Sequence, residues 1–257
     1  MNLVLITAFG VGLSTIIGGV FGFLFKGIPQ KFNDAILSVA AGVMLTSAIV
    51  GLILPAIEEG GNLGLPVTFF GILSGALFLD LANRCIPNFL DNTSMKANNV
   101  GINDIKHKEK TNRVFLFIFA IIIHNFPEGI AAGVGFGTDN ISNALSVSLG
   151  IAIQNIPEGM AMIAPMLSIG VSKKKTLLVL IFTGTVEIIG TMFGYFAISF
   201  ASVILPFALA FAGGTMIYII IDEMIPETHS LKCAKKLSSY SFLLGFMIML
   251  AFDYFLS

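Results

Sequence analysis

The chain has 257 residues, of which 56% are hydrophobic and only 11% charged, and its mean hydropathy is +0.92. Soluble globular chains carry about 25% charged residues, so this balance excludes an ordinary soluble domain and points to an integral membrane protein. The net charge of −1, with no basic domain, speaks against nucleic-acid partners, and two cysteines, Cys85 and Cys233, make no disulfide framework.

A helix needs about 20 apolar residues to cross the hydrocarbon. Eight segments meet that length, at about 2–25, 35–57, 65–83, 114–134, 144–170, 176–200, 203–225 and 240–256. None alternates in hydrophobicity every second residue, as the strands of a membrane barrel would. The expected fold is therefore an all-α integral membrane protein with eight transmembrane helices in a single domain spanning 1–257. The first segment has no basic stretch ahead of it, and Lys26 follows it, so it reads as a retained helix rather than a signal peptide.

All fourteen Lys and Arg residues fall in odd-numbered connections: Lys26 and Lys31 after the first segment, six from Arg84 to Arg113 after the third, Lys173–Lys175 after the fifth, and Lys232, Lys235 and Lys236 after the seventh. Basic connections favour the cytoplasm, which predicts extracytoplasmic termini. The same regularity checks the helix count, since a miscount would scatter the lysines over both sides. Cys85 and Cys233 are then expected near cytoplasmic helix ends, where thiols stay reduced.

The connection over 90–112, LDNTSMKANNVGINDIKHKEKTN, has the composition of a flexible cytoplasmic linker. Its single histidine, His107, reads as part of a solvated loop rather than a metal site. A short internal repeat also stands out. The second segment has AG at 41–42 and LP at 54–55; the seventh has AG at 212–213 and IP at 225–226, with the same spacing. The two segments run in opposite directions, which suggests an inverted repeat of helices 1–3 and 6–8 around helices 4 and 5.

Two hexapeptides carry the chemistry: HNFPEG at 124–129 and QNIPEG at 154–159. With Glu187 they put three carboxylates inside apolar helices, each costing about 2.5–3.5 kcal/mol at the bilayer centre when ionised. At about 1.5 Å per residue, His124, Gln154 and Glu187 each lie roughly 15 Å from their membrane surface, near the middle of a core about 30 Å thick. His124 and Glu128, and likewise Gln154 and Glu158, are four apart and share a helix face. Pro127 and Pro157 remove backbone donors and should free the carbonyls of Ile123 and Ile153. Gly129 and Gly159 allow neighbouring helices to approach. Asn125 and Asn155 add amide oxygens. Imidazole, carboxylates and amides without a thiolate suit a divalent cation of borderline hardness such as Zn²⁺, Fe²⁺, Mn²⁺ or Cd²⁺ better than Mg²⁺. The plainer reading, polar residues joining helices by hydrogen bonds, explains one Asn or Gln more easily than two copies of N-x-P-E-G at one depth.

At these residues the chain resembles the ZIP (Zrt/Irt-like protein) family of divalent metal transporters, most closely its bacterial members, over essentially its whole length. HNFPEG is specific to that family. QNIPEG departs from the commoner form beginning with His and is similar to a bacterial branch whose transport site is binuclear. The resemblance implies a first metal site of His124, Glu128, Gln154, Glu158 and Glu187. It implies a second of Asn125, Asn155 and the same glutamates, which bridge. Met44, Gly51 and Glu58, spaced by seven in the second segment, would line the outer entrance, and Asp222 and Glu223 the inner exit. For Glu58, an acid at a helix end near water is an equally good reading.

The implied activity is movement of divalent transition metal ions, zinc foremost, across the plasma membrane (the cell inner membrane in a Gram-negative cell) into the cytosol. The metal is the cargo and no resident cofactor is expected. Partners would be the metal ions, the lipid bilayer and, by the resemblance, a second copy in a homodimer. A proton- or sodium-coupled exchanger using the same carboxylates is the alternative. An enzyme is not expected: an intramembrane metalloprotease needs H-E-x-x-H, whereas the order here is H-N-x-x-E, and His107 and His229 lie in connections.

Overall fold

A computed structural model describes residues 1–24, 29–93, 121–123, 125–137, 140–229 and 235–256. Among these residues every regular element is helical and there is no strand. In chain order the helices are α1 (Asn2–Leu24), α2 (Gln30–Thr46), α3 (Leu54–Glu59), α4 (Gly64–Thr93), α5 (125–135), α6 (Ile141–Ser168), α7 (Lys173–Phe200), α8 (Leu205–Ile219), α9 (Ile225–Thr228) and α10 (Lys235–Leu256). Among the described residues six stretches are long and apolar enough to cross a membrane: Asn2–Leu24, Asp34–Glu59, Gly61–Ala82, Lys173–Phe200, Leu205–Thr228 and Lys235–Phe255. Helix α6 has the length, 28 residues, but Gln154, Asn155, Pro157 and Glu158 lower its hydropathy below that of the six.

The third segment ends later than expected. Helix α4 continues to Thr93, so the first residues of the expected 90–112 linker are helical. The rest of that linker, His124, Lys26 and Cys233 lie outside the described residues.

The second and seventh segments are not plain α-helices. Each contains a π-helical stretch, Ser47–Ile53 between α2 and α3 and Ile220–Met224 between α8 and α9. In both, the N–H closing the stretch bonds five residues back, Leu54 to the Ile49 carbonyl and Ile225 to the Ile220 carbonyl. The cause is the next residue, Pro55 or Pro226. Proline brings no N–H, and its ring crowds the carbonyl four residues earlier. Widening the helix by one residue relieves that clash without breaking the rod. For Pro55 the stranded carbonyl is that of Gly51, which accepts from Asn143 Nδ2 of α6 at 3.1 Å.

Helix contacts are made through glycine. A methyl at Gly42 of α2 would overlap the Phe242 carbonyl of α10, and one at Gly245 of α10 would overlap that of Val39. Gly71 and Gly75 of α4 face α8 at Phe207 and Phe211, and Gly214 of α8 faces Ile72. Gly12 of α1 and Gly184 of α7 abut each other's carbonyls; Gly18 of α1 abuts Ile156 of α6. Lipid supplies no hydrophobic drive between helices, so close backbone packing of this kind carries the association. Many large apolar side chains instead face outward, among them Phe69, Phe70, Phe193, Phe200 and Tyr254.

Turns between helices are closed locally. Gly170 (φ +85°) follows α6 in the left-handed region that glycine enters without strain. Its N–H reaches the Leu167 carbonyl and that of Val171 reaches Met166, the Schellman pattern. Asn140 caps α6 by accepting from the Asn143 N–H at 3.0 Å.

Candidate metal site between the middle helices

The described polar groups of both hexapeptides meet between α5, α6 and α7, and the reason is again glycine. Gly129 and Gly133 of α5 lie against Glu187 and Thr191 of α7, while Gly190 and Gly194 of α7 lie against Phe126 and Ile130 of α5. On the other side, Gly159 of α6 lies against the Thr15 carbonyl of α1. Two small-residue contacts, α5 with α7 and α6 with α1, thus hold four helices closely around the acids.

Within this packing, Asn125, Glu128, Gln154, Asn155 and Glu187 are all completely buried. Gln154 Nε2 donates to Glu128 Oε1 at 3.0 Å. Asn155 Nδ2 donates to Glu187 Oε1 and to the Val11 carbonyl of α1, the latter at 3.3 Å. Thr15 Oγ1 of α1 donates to Glu187 Oε2 at 3.0 Å. Glu128 is close enough to Glu158 and Glu187 for their charges to act on it, and the Asn125 amide lies beside Glu187. Glu158 keeps some exposure and lies within electrostatic reach of Glu223.

The amides are oriented by these bonds. Each donates its NH₂ group to a carboxylate, which leaves its carbonyl oxygen turned elsewhere. Gln154 Oε1, Asn155 Oδ1, Glu128 Oε2 and both amide atoms of Asn125 are buried without a hydrogen-bond partner among the described residues. A buried polar atom left unpaired costs about 1–3 kcal/mol, and native interiors leave few. Here several are gathered around one cluster, and the oxygens among them are hard or borderline donors to a cation.

No group of three or more His, Cys, Asp and Glu side chains is arranged to hold one ion among the described residues. Amides stand between the carboxylates: Gln154 against Glu128, Asn155 against Glu187. The chemistry on offer is thus a mixed carboxylate and amide-oxygen set.

The expected entrance residues are dissimilar. Met44 and Gly51 are buried and Glu58 is exposed. The π-helical stretch lies between Met44 and Glu58, so a spacing of seven does not hold them on one straight face as it would in an unbroken α-helix. At Gly51, Val147 of α6 occupies the space a side chain would need. Asp222 and Glu223 sit in the second π-helical stretch, Asp222 exposed and Glu223 partly so.

Three participants were not singled out from sequence. Thr15 has the signal, a polar residue on the stripe Val4, Thr7, Ala8, Val11, Gly12, Thr15, Gly18, Gly19 that forms the buried face of α1. Asp80 and Tyr218 lie near the expected exit. Tyr218 Oη donates to Asp80 Oδ1 at 3.3 Å, in electrostatic reach of Asp222 and Glu223. Arg84 pairs with Asp80 at 2.8 Å one helical turn on.

A family model described as "ZIP Zinc transporter" matches residues 1–253. Among curated proteins, the chain is similar to "Zinc transporter GufA" of Myxococcus xanthus, at 32% identity over 88% of each chain. It is 33% identical to "Zinc transporter ZupT" of Chlorobium chlorochromatii over 84% of this chain and 83% of that one. It is 29% identical to "Zinc transporter ZIPB" of Bordetella bronchiseptica over 93% of this chain and 77% of that one.

Proposed function

Because this chain belongs to the ZIP zinc transporter family, a family of multi-pass membrane transporters and not of enzymes, we propose that it carries divalent transition metal ions, zinc foremost, into the cytosol through the cluster between α5, α6 and α7. The carrying observation is the set of buried, unpartnered oxygens on Asn125, Glu128, Gln154 and Asn155, gathered with Glu158 and Glu187. A cation supplies the partner those oxygens lack and offsets the mutual repulsion of three carboxylates.

In this reading His124, Glu128, Gln154, Glu158 and Glu187 ligate a first ion, and Asn125 and Asn155 with bridging glutamates a second. Two neighbouring sites let one ion weaken the hold on another, so tight binding does not stall transit. Ions enter past Met44, Gly51 and Glu58 and leave past Asp222 and Glu223. That Glu158 lies within electrostatic reach of Glu223 supports that inward step, because it puts a second carboxylate near the first on the way out. Fe²⁺, Mn²⁺ and Cd²⁺ are accepted as secondary cargo on the same ligand chemistry.

The wider architecture is proposed as eight spans in one domain at the plasma membrane, with extracytoplasmic termini and an inverted repeat of the outer helices around the middle pair. Two features support the repeat: a π-helical stretch followed by Leu-Pro or Ile-Pro in each half, and the matching glycine contacts of α2 with α10 and α4 with α8. A homodimer in the bilayer belongs to the same family-level reading.

The test is metal uptake by proteoliposomes across a panel of Zn²⁺, Cd²⁺, Mn²⁺ and Fe²⁺ at a set pH gradient. Zinc flux that disappears in Glu128→Ala and Glu158→Ala is the expected result. Sodium or proton flux without any metal flux from the unaltered protein would establish the exchanger instead.

A further inference from the structure

We infer that α1 is part of the metal-binding machinery, with Thr15 as a positioning residue that holds Glu187, and through it Asn155, in the geometry that receives the ion. This rests on the metal-site reading above and adds a helix that contributes no ligand of its own.

Glu187 is completely buried, and each of its carboxylate oxygens has a donor: Asn155 Nδ2 on Oε1 and Thr15 Oγ1 on Oε2. These two bonds come from different helices and pin the carboxylate plane from both ends. Asn155 is pinned in turn. Its NH₂ group bonds both Glu187 and the Val11 carbonyl of α1, so both N–H bonds are committed. The amide cannot flip without losing them, and its unpartnered Oδ1 is thereby presented in one direction. Val11 and Thr15 are four apart, on one face of α1. That face reaches the site because Gly159 permits the close approach of the Thr15 carbonyl.

Orientation matters because a cation charges a ligand set for every side chain it must immobilise, and outer partners of metal ligands alter affinity by about 10–100-fold. Thr15 does this work at a distance from the ion, so its loss is expected in affinity before it is seen in the limiting rate.

The experiment is zinc uptake in proteoliposomes, with equilibrium Zn²⁺ binding to the purified protein as the second readout. Thr15→Val keeps the shape of the side chain and removes its hydroxyl. It is expected to raise both KM and Kd for Zn²⁺ about tenfold, equivalent to about 1.4 kcal/mol, with a smaller fall in limiting rate. Thr15→Ser, which restores the hydroxyl, should recover most of the affinity. Unchanged or tighter zinc binding in Thr15→Val, or a Thr15→Ser protein as weak as Thr15→Val, overturns the inference. If Thr15→Val does not accumulate in the membrane, Thr15→Ala against Thr15→Ser carries the same test. Glu128→Ala separates the two levels. Wild-type uptake in that variant removes the metal site and this inference with it. Lost uptake there, beside unaltered affinity in Thr15→Val, overturns the role of α1 alone.

Discussion

The two N-x-P-E-G copies differ in what surrounds them more than in what they contain. In α5, the Asn125 amide lies beside Glu187 but neither of its amide atoms has a hydrogen-bond partner of normal geometry among the described residues, and Glu128 is completely buried with one oxygen held by Gln154. In α6, Asn155 is fastened to Glu187 and to α1, while Glu158 keeps some exposure and faces the charge of Glu223. One copy has a closed acid and a loose amide; the other has a fastened amide and an acid open toward the second π-helical stretch. A repeated motif therefore supplies an inventory, and the neighbouring helices assign each member its task. Here α1 fastens the second copy, and its counterpart at Asn125 is absent among the described residues.

That contrast can be broken in stages. The largest effect is expected from the acids. Glu128→Ala and Glu158→Ala should each lower zinc uptake by at least about 100-fold, as loss of a direct ligand exceeds loss of an outer partner, with membrane levels by immunoblot unchanged. Wild-type rates in both would end the comparison at its root. The asparagines come next. In the proposed reading each asparagine serves one ion while the glutamates bridge two; Asn155→Ala, which also strands Glu187 Oε1 and the Val11 carbonyl, should raise KM for Zn²⁺ about tenfold, and Asn125→Ala, which removes only an amide lying beside Glu187, about two- to threefold. Equal effects in uptake assays would mean that fastening by α1 is irrelevant.

Gln154→His probes the position where the two hexapeptides differ at their first residue. Imidazole binds these ions better than an amide oxygen, so zinc binding should tighten by about threefold to tenfold relative to Mn²⁺. A competition binding series over Zn²⁺, Cd²⁺ and Mn²⁺ reads this directly, and unchanged preference would remove Gln154 from the ligands. The smallest effect is expected from deleting 92–108, which should leave zinc KM within a factor of about two, since that stretch has a linker composition and no ligand set.

Much of the fold was legible because its causes are local. Long apolar runs require helices in a bilayer, since no water satisfies their backbone groups. The cost of intramembrane acids singled out Glu128, Glu158 and Glu187 without any coordinates. The repeat of AG with LP or IP was visible too, but its consequence was not. Periodicity alone reads both segments as continuous α-helices, and only the backbone shows that Pro55 and Pro226 each follow a stretch widened to π geometry. The helical extension of α4 to Thr93 was missed for a similar reason: its last two turns carry Asn88, Asp91 and Asn92, whose composition resembles that of the linker they lead into.

The site divides in the same way. The sequence by itself determined the membrane class, the two hexapeptides and the donor types they offer, because each follows from the transfer cost and chemistry of individual residues. Only the tertiary structure decided which amide atoms are spent on hydrogen bonds and which stay unpartnered among the described residues. It alone brought Thr15 and Val11 of α1 to Glu187 and Asn155, across 172 and 144 positions of chain respectively. The physical reason is that a threonine or a backbone carbonyl in an apolar helix carries no charge cost to mark it. Its role exists only where Gly159 lets two helix backbones come close enough for their polar groups to meet.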